Sequence, residues 1–395
     1  MSSPSIRIAV AKEASMGETR VALVADGVKR LVGKGWSVSV QSGAGDTAGV
    51  SDSDYIAAGA TIEASAKALF ATVDVILQIR PPTKEQLELV KAGTTIVCGL
   101  NALGDPAAVA DLAARKVDAV AVELIPRSTV AQMMDVLSSQ ATVAGYRAVL
   151  LAAEASPRLY PMLMTAAGTI APATVLVLGA GVAGLQAIAT ARRLGAVVEA
   201  FDARKTVKEQ VESLGARFVE VPSDEDAQTA GGYAKEMSEE YKARQRALLA
   251  ERIAKCDACI TTAQIPGQRA PILITQEMVR GMKRGSVIID LAAEQGGNCA
   301  LTRPGKRLTV DGVTIVGDLN LPGSVAFTSS QMYSRNMERL LVHLYRSGAL
   351  DGADDITRAV LVSRGGQVAN ERVRTLVQQL QADARQVAAA AQGGA

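Results

Sequence analysis

The residues of this 395-residue sequence with the clearest chemical spacing are Gly179, Gly181 and Gly184, which form the pattern G-x-G-x-x-G. A glycine at the first position permits a tight turn, the second lets the backbone approach a pyrophosphate, and the third lets a helix pack against a strand. The N-terminus of the following helix presents N–H groups and positive partial charge to phosphates. The pattern therefore predicts a dinucleotide-binding loop.

An acidic residue follows where a dinucleotide would place its adenosine ribose. Asp202 lies eighteen residues beyond Gly184, and a carboxylate there accepts hydrogen bonds from ribose hydroxyls and repels a 2′-phosphate. Arg204 complicates this interpretation, because an arginine near that position can hold a 2′-phosphate. We give the aspartate more weight because it occupies the strand end itself. The sequence thus favours NAD(H) over NADP(H).

A second group of polar residues lies in the string RSTVAQMMDVLSSQ, residues 127–140. Arg127, Gln132, Asp135 and Ser138 are hydrogen-bonding groups suited to orienting a carboxamide and ribose hydroxyls. A helix over this string would place Gln132, Asp135 and Ser139 on one face, at spacings of three and four. A loop that ends in Ser138 as the N-cap of the next helix is the alternative, and the sequence leaves both open.

Proton transfer by a histidine is poorly supported. The sequence contains one histidine, His343, and we interpret it as structural because it lies between Val342 and Leu344. A dehydrogenase that oxidises an alcohol or amine needs a general acid or base near the nicotinamide. Hydride exchange between two nicotinamides involves no substrate proton and requires only that the rings be held face to face, shielded from water. The residue types favour the second chemistry.

The elements that must position these residues alternate between strands and helices. Val175–Leu178 is a short apolar run that predicts a buried strand before the glycine-rich loop. Residues 6–126 show the same alternation. We therefore predict an α/β fold with two doubly wound, Rossmann-like parallel-sheet domains joined by long crossing helices. The domains are expected at 1–137 with about 325–395, and at 138–324, the second being the NAD(H)-binding domain.

Helices are predicted over 141–155 and about 329–345, where the chain crosses between domains, and over 84–91. Four methionines suit adaptable filling of a junction, although each alone is typical of an ordinary core residue: Met133, Met134, Met162 and Met164. The chain is expected to end in an alanine- and glutamine-rich surface helix.

A polar, glycine-containing segment interrupts this order at Pro222–Glu240. Long irregular segments are uncommon in compact domains and often functional. We interpret this one as a mobile lid over the nucleotide, with a hinge at Gly231-Gly232 and Tyr233 as its one aromatic residue. A surface loop without such a role is the alternative.

The composition excludes several classes of protein. A content of 48% hydrophobic and 21% charged residues indicates buried cores, while a net charge of +2 and 3% aromatic residues argue against a nucleic-acid partner. Cys256 and Cys259 form C-x-x-C without a second ligand pair, so we predict buried residues and no metal site. No stretch has the length of a signal peptide or membrane span, and we expect a cytoplasmic chain.

Several strings resemble the NAD(H)-binding domain I, or α1 subunit, of the proton-translocating nicotinamide nucleotide transhydrogenases. The resemblance covers roughly residues 6–345. Its strings are RSTVAQMMDVLSSQ, AGYRAV, MTAAGT, GAGVAGLQAIATARRLGA, TAGGYAKEM, ITTAQIPG and VIIDLAAEQGGNC.

This resemblance implies a role for each matching position. Arg127, Gln132 and Asp135 would contact the nicotinamide end of NAD(H) and would have a catalytic role in orienting it. Gln132 would also face the NADP(H) of a partner domain. The resemblance also implies Ser138 at the carboxamide or ribose, Val182 at the pyrophosphate, Asp202 at the adenosine ribose and Tyr233 on a closing loop. The remaining residues expected to bind NAD(H) are Gly179, Gly181, Gly184, Arg204, Gly232 and Gln264.

The resemblance also implies partners and a reaction. Hydride would pass directly from NADH on this chain to NADP+ on a separate NADP(H)-binding component, with the Re/Si specificity of the family. A membrane-spanning component would couple the transfer to proton translocation. The chain itself would form a homodimer and associate peripherally with the inner membrane through its partners.

Two other functions are considered. Alanine dehydrogenase, a fold relative, uses a lysine and a histidine where this sequence has Arg80 in LQIRPPT and Asn101 in IVCGLNALG, which argues against amination of pyruvate. A non-enzymatic NAD-sensing module would bind NADH without exchanging hydride. The polar cluster from Arg127 to Asp135 argues against it.

Overall fold

A computed structural model of the protein describes residues 6–221, 238–264 and 267–392. The chain folds as two compact units. We call Met1–Gln140 with Gly323–Ala395 the split unit, and Ala141–Pro322 the central unit.

The strands, in chain order, are β1 (Arg7–Val10), β2 (Ser37–Gln41), β3 (Thr61–Glu63), β4 (Val75–Leu77), β5 (Thr95–Cys98), β6 (Asp118–Ala121), β7 (Leu163–Thr165), β8 (Gly168–Ile170), β9 (Thr174–Leu178), β10 (Val197–Phe201), β11 (Arg217–Phe218), β12 (Ala258–Thr261), β13 (Val287–Asp290), β14 (Arg307–Val310), β15 (Val313–Val316), β16 (Leu361–Arg364) and β17 (Gln367–Val368). The helices are α1 (Ala25–Val32), α2 (Asp52–Ala57), α3 (Ala66–Phe70), α4 (Lys84–Leu87), α5 (Pro106–Ala114), α6 (Val136–Ala155), α7 (Val182–Arg193), α8 (Lys208–Ser213), α9 (Glu239–Lys255), α10 (Gln276–Arg280), α11 (Ala326–Leu344), α12 (Asp355–Val360) and α13 (Glu371–Gln392).

The split unit is built on an eight-stranded sheet with the order β17-β16-β6-β5-β4-β1-β2-β3. Strands β1 to β6 pair in parallel, and β16 and β17 add antiparallel pairs at one edge. Alternate residues face opposite cores, as Ile8 and Val10 do on one side of β1 and Ala9 on the other. Because both faces are covered, strands such as β5 consist wholly of buried residues.

The central unit is built on a seven-stranded sheet with the order β11-β10-β9-β12-β13-β15-β14. All pairs are parallel except β14 with β15. From β9 the chain proceeds outward to β10 and β11, then crosses to β12 on the other side, so the strand order reverses beside β9. Open α/β sheets bind ligands at such a switch point, beyond the carboxyl ends of the strands. These two sheets confirm the predicted fold class.

The predicted helices differ from the structure mainly at their ends. α6 begins at Val136 and not at residue 141, whereas α11 and α13 confirm the helices expected near residue 329 and at the end of the chain. The helix predicted over 84–91 is wrong beyond Leu87. The N–H groups of Leu89 and Val90 donate to the carbonyl oxygens three residues earlier, as in a 3₁₀ turn, and not four residues earlier, as in an α-helix. Of the helices that the structure describes, none is both long and apolar enough to cross a lipid bilayer.

A separate antiparallel hairpin, β7 with β8, belongs to the central unit. All six of its strand residues are exposed, and the adjoining Met162 is 57% exposed. Met164 on the hairpin is 75% exposed and Met133 in the split unit is 60% exposed, so the interpretation of these three methionines as core residues is wrong. For Met134, which is buried in the core of the split unit, the same interpretation is confirmed. The hairpin therefore presents an apolar surface, with Leu163 and Ile170 among its exposed side chains.

Candidate dinucleotide-binding site

The glycine-rich loop joins β9 to α7 at the switch point of the central unit. Gly179 has a φ of +102°, a left-handed value that favours glycine. A Cβ at Gly184 would lie 1.8 Å from the Gly179 carbonyl oxygen, so glycine is required for α7 to approach the strand this closely. A Cβ at Gly181 would meet no heavy atom of the described residues within 4 Å. The loop is therefore closely packed against protein atoms at Gly184, whereas the space beside Gly181 is open. A pyrophosphate needs such an open space in order to approach the backbone.

α7 begins at Val182, directly after the open glycine. Its N-cap is Gly181, which has no side chain to accept hydrogen bonds from the first turn. The N–H groups of that turn and the positive end of a 12-residue helix favour an anion at this point. The residues present therefore fit the pyrophosphate of a dinucleotide.

Asp202 lies at the end of β10, with its side chain only 8% exposed. One carboxylate oxygen accepts a hydrogen bond from the N–H of Ala180 in the glycine-rich loop at 2.8 Å. Arg204 donates to both oxygens, from Nε at 2.9 Å and from its terminal nitrogen at 2.8 Å. This hydrogen bond and the charge of Asp202 raise the pKa of Arg204 in spite of its burial. The two residues that seemed to favour different dinucleotides are thus bound to each other as an ion pair.

One wall of the loop comes from the residues that follow β12. Thr262 donates from Oγ1 to the Gly179 carbonyl oxygen at 3.0 Å. Asn298 is fully buried, accepts from the N–H of Ala263 at 3.0 Å and donates to the carbonyl oxygen of the same residue at 2.9 Å. Gln264 is exposed, and its side-chain amide donates to a backbone carbonyl at the end of β13. Asn298 therefore fixes the backbone at Ala263, just before Gln264, the predicted contact residue. Its position in the string VIIDLAAEQGGNC could have suggested this role.

Helix α6 passes close to the same loop. A Cβ at Gly145 would lie 2.1 Å from the carbonyl oxygen of Ala183, in the first turn of α7. The two helices therefore pack backbone against backbone, which a side chain at this position would prevent. Gly145 was not among the predicted site residues, although it lies within the string AGYRAV.

The second predicted group, from Arg127 to Ser138, lies in the split unit. A 3₁₀ turn covers Gln132–Met134 and α6 follows at Val136, so the segment is neither one helix nor a loop ending at Ser138. The prediction of Ser138 as N-cap is wrong, because Asp135 holds that position. Asp135 accepts from the N–H of Ser138 at 3.0 Å and from its hydroxyl at 2.5 Å.

The side chains of this segment differ in exposure. Arg127 and Gln132 are exposed, whereas Asp135 and Ser138 are half-buried and in contact with each other. Gly232 and Tyr233 of the predicted lid lie outside the described residues. The structure thus brings together Asp135 with Ser138, and separately the glycine-rich loop with Asp202 and Arg204, whereas the Gln264 side chain is bound to the end of β13.

A cluster of buried charges near the carboxyl ends of β1 and β4 was not predicted. Glu13 accepts from the N–H groups of Ile79 at 2.6 Å and Arg80 at 3.2 Å, and burial of its carboxyl group raises its pKa to about 7. Glu18 pairs with Arg20 at 2.7 Å. The only local indication is a run of charged residues, KEASMGETR, in the irregular stretch directly after a buried strand.

Comparisons with known proteins agree with this geometry. The family model described as the alanine dehydrogenase/PNT N-terminal domain matches residues 9–144, and the one described as the C-terminal domain of the same family matches residues 148–371. The chain belongs to the alanine dehydrogenase/PNT family.

Within the alanine dehydrogenase/PNT family, the chain is similar to transhydrogenase subunits. It is 50% identical over 343 residues to the first of the parts that make up the NAD(P) transhydrogenase subunit alpha of Rhodospirillum rubrum, covering 85% of this chain and 89% of that protein. A solved transhydrogenase from Sinorhizobium meliloti matches with a TM-score of 0.82 and 42% identity over 92% of this chain and 99% of that one. The predicted resemblance to the transhydrogenase α1 subunit is confirmed.

Alanine dehydrogenases of the same family share the fold at lower identity. A solved L-alanine dehydrogenase has a TM-score of 0.81 and 25% identity over 95% of this chain and 100% of that one. In this chain Arg80 donates from Nε to Glu18 at 3.3 Å, and Asn101 adopts a φ of +53° in the turn after β5. Neither position carries the lysine or histidine expected for amination of a keto acid.

Proposed function

We propose that this chain is the NAD(H)-binding subunit of a proton-translocating, Re/Si-specific NAD(P)+ transhydrogenase. In this function, hydride passes directly from NADH bound here to NADP+ bound by a partner component. The observation that carries the proposal is the loop from Gly179 to Gly184, which is open at Gly181 and has the Asp202 carboxylate bound to its backbone. Similarity to subunits named as parts of a transhydrogenase supports the reaction.

In the proposed site, the glycine-rich loop and the first turn of α7 at Val182 bind the pyrophosphate. Asp202 accepts hydrogen bonds from the adenosine ribose, with Arg204 as its counter-ion, and Gln264 contributes a further contact. These groups bind both redox states of the nucleotide alike, so they set affinity and not rate.

The rate depends on orientation of the nicotinamide. We assign this task to Arg127, Gln132, Asp135 and Ser138, whose donors and acceptors suit a carboxamide and ribose hydroxyls. Gln132 is exposed, which suits contact with a second nucleotide carried by another polypeptide. A dihydropyridine supplies the hydride itself, and no side chain is required to move a proton to or from a substrate.

The proposed function needs two partner components. One binds NADP(H), and a membrane-spanning one couples hydride transfer to proton translocation. This chain would then be held at the inner membrane through those partners. The similar Rhodospirillum rubrum protein is named as one part of a subunit alpha, and this name supports a divided complex.

We also propose that two copies of this chain form a homodimer through the β7–β8 hairpin. A lone two-stranded hairpin is marginally stable in water, and contiguous exposed apolar side chains mark contact surfaces. Leu163, Met164 and Ile170 provide such a surface. Met164→Asp should convert the dimer to a monomer in size-exclusion chromatography with light scattering. A dimer unchanged by this substitution would contradict the assignment of the hairpin.

The decisive test of function is a stopped-flow assay of NADH oxidation with a purified NADP(H)-binding component and NADP+. Turnover should require that component and NADP+ and should be indifferent to pyruvate and ammonium. Oxidation or reduction that depends on pyruvate and ammonium would identify an alanine dehydrogenase. NADH binding without any hydride exchange would identify a sensing module.

Gln132→Asn separates orientation from affinity. The shortened side chain should slow hydride transfer about 100-fold, because a displacement of about 1 Å can have this effect, while the calorimetric affinity for NADH stays nearly unchanged. Thr129→Ser in the same exposed segment is the matched control and should leave the rate intact. Equal rates for both variants would remove Gln132 from the proposed machinery.

A further inference from the structure

Glu18 and Arg20 form a buried ion pair in the split unit, with side chains only 1% and 6% exposed. Arg20 donates to the two carboxylate oxygens from Nε and a terminal nitrogen, both at 2.7 Å. Glu18 also accepts from the N–H groups of Thr19 and Arg20 and from Nε of Arg80. Burial alone would raise the pKa of Glu18, but the hydrogen bond and charge of Arg20 outweigh it and leave the pKa lowered. The guanidinium is therefore held in one orientation by an ionised partner.

The remaining terminal nitrogen of Arg20 reaches α6. It donates to Oε1 of Gln140 at 2.8 Å. The side-chain nitrogen of Gln140 in turn donates to the carbonyl oxygen of Ser329 on α11 at 3.1 Å and to Oγ of Ser139 at 3.3 Å. Both ends of the Gln140 amide are thus fixed, by Arg20 on one side and α11 on the other.

Gln140 lies one turn into α6, immediately after the residues proposed to orient the nicotinamide. Asp135 caps this helix, and its carboxylate is bound to the N–H and hydroxyl of Ser138. The segment just before this cap is also hydrogen-bonded to α11, because the side chain of Asn336 donates to the carbonyl oxygen of Met133 at 2.9 Å. Hydrogen bonds to α11 therefore fix the chain on both sides of the first turn of α6, at Met133 before it and at Gln140 after it.

We propose that Glu18 and Arg20 are positioning residues that, through Gln140, hold the first turn of α6 and so set where Asp135 and Ser138 present their polar atoms. A buried ion pair is a poor source of stability, because desolvation of both charges offsets most of their attraction. It does confine a guanidinium to one geometry, which is what a fixed catalytic segment needs. This inference rests on the proposed function for its effect on hydride transfer.

The test compares three variants with one control. Gln140→Leu removes the acceptor of the Arg20 hydrogen bond at similar side-chain volume, whereas Gln140→Glu keeps an acceptor oxygen. Arg20→Lys keeps the positive charge but loses the planar guanidinium that donates to Glu18 and Gln140 together. Arg30→Gln is the control, since it breaks a different ion pair onto α11, that with Glu338, and leaves Gln140 untouched. Each variant is measured by hydrogen exchange of the segment 127–140, by NADH calorimetry and by single-turnover hydride transfer with the NADP(H)-binding component.

In Gln140→Leu and Arg20→Lys, the Ser138 amide should exchange about five- to ten-fold faster, the size expected for one lost hydrogen bond. Hydride transfer should slow about 10- to 100-fold with less than about a three-fold change in NADH affinity. Gln140→Glu keeps the acceptor of Arg20 but loses the donor to Ser329, so it should recover only part of both losses. Arg30→Gln should show neither loss.

The outcomes separate the inference from the function. Unchanged exchange of the Ser138 amide in Gln140→Leu would overturn the inference whatever the activity. Faster exchange with an unchanged transfer rate would also overturn it, because the held turn would not serve catalysis. If the unmodified chain transfers no hydride to the NADP(H)-binding component, the proposed function fails, and the exchange data alone decide whether Glu18 and Arg20 hold this turn.

Discussion

Replacement of Glu13 by glutamine should change how the stability of the split unit depends on pH. The Glu13 carboxylate accepts hydrogen bonds from two backbone N–H groups beyond β4, yet burial raises its pKa from 4.5 to about 7. A group whose pKa is higher in the folded protein stabilises the fold fully below its unfolded pKa. That stabilisation is lost as the pH rises through the folded value.

The size of the effect follows from the shift. A rise from 4.5 to about 7 corresponds to at most about 3.5 kcal/mol, at about 1.4 kcal/mol for each pKa unit. Glutamine keeps the shape but offers one acceptor oxygen, and the loss of one hydrogen bond costs about 1 kcal/mol at every pH. Glu13→Gln should therefore be about 1 kcal/mol less stable than the unmodified chain near pH 4.5 and up to about 2.5 kcal/mol more stable at pH 8.

Trp36 provides a local assay. It is the only tryptophan of the sequence, lies just before β2 in the split unit and packs edge-on against Tyr345 at 6.1 Å between ring centroids. Urea unfolding followed by its fluorescence at pH 4.5, 6, 7 and 8 gives the stability difference between variant and unmodified chain. Titrating groups that do not interact with Glu13 contribute equally to both proteins and cancel in that difference.

Glu88→Gln, at an exposed glutamate of the same unit, is the matched control. Its stability difference from the unmodified chain should not vary with pH. A difference for Glu13→Gln that is equally flat between pH 4.5 and 8 would refute the argument that burial destabilises the ionised carboxyl group.

The other predictions concern the helix cap and the glycine-rich loop. Asp135→Ala should lower the stability of the split unit by about 1 kcal/mol in the same fluorescence assay, because the Ser138 amide loses the side chain that caps it. Asp135→Asn should retain most of that stability, and equal losses in the two variants would contradict the role of Asp135 as the cap. Gly181→Ala should keep the thermal stability of the unmodified chain but weaken NADH binding at least about ten-fold in calorimetry, since the added methyl group meets only the ligand. Gly184→Ala should lose stability as well, since its Cβ would collide with a backbone oxygen, and a normal melting temperature for this variant would refute the packing argument.

Local sequence patterns predicted the part of the structure that is itself local. The strand Val175–Leu178, the glycine-rich loop and Asp202 are close in the chain, and the backbone itself requires glycine at Gly179 and Gly184. The cap of α6 was harder, because Asp135 and Ser138 are both good N-cap residues three positions apart. Spacing alone does not decide which of them begins the helix.

The charged cluster lay beyond prediction for a different reason. Glu18 and Arg20 are neighbours in sequence, but Gln140 and Ser329 reach them only through the folding of the split unit. The exposure of Met164 was missed because an apolar residue is usually buried, and the surface that it helps to form has its partner outside the single chain in the proposed dimer.

The ion pair between Asp202 and Arg204 bears on how readily the nucleotide preference could be reversed. In the proposed function the cation that a phosphorylated ribose would need is already beside the strand end, neutralised by the carboxylate next to it. Removal of that carboxylate, as in Asp202→Ser, would end both the repulsion of a 2′-phosphate and the ion pair to Arg204 in a single step. Selectivity in this chain would then depend on what Arg204 is bound to, and not on whether an arginine is present.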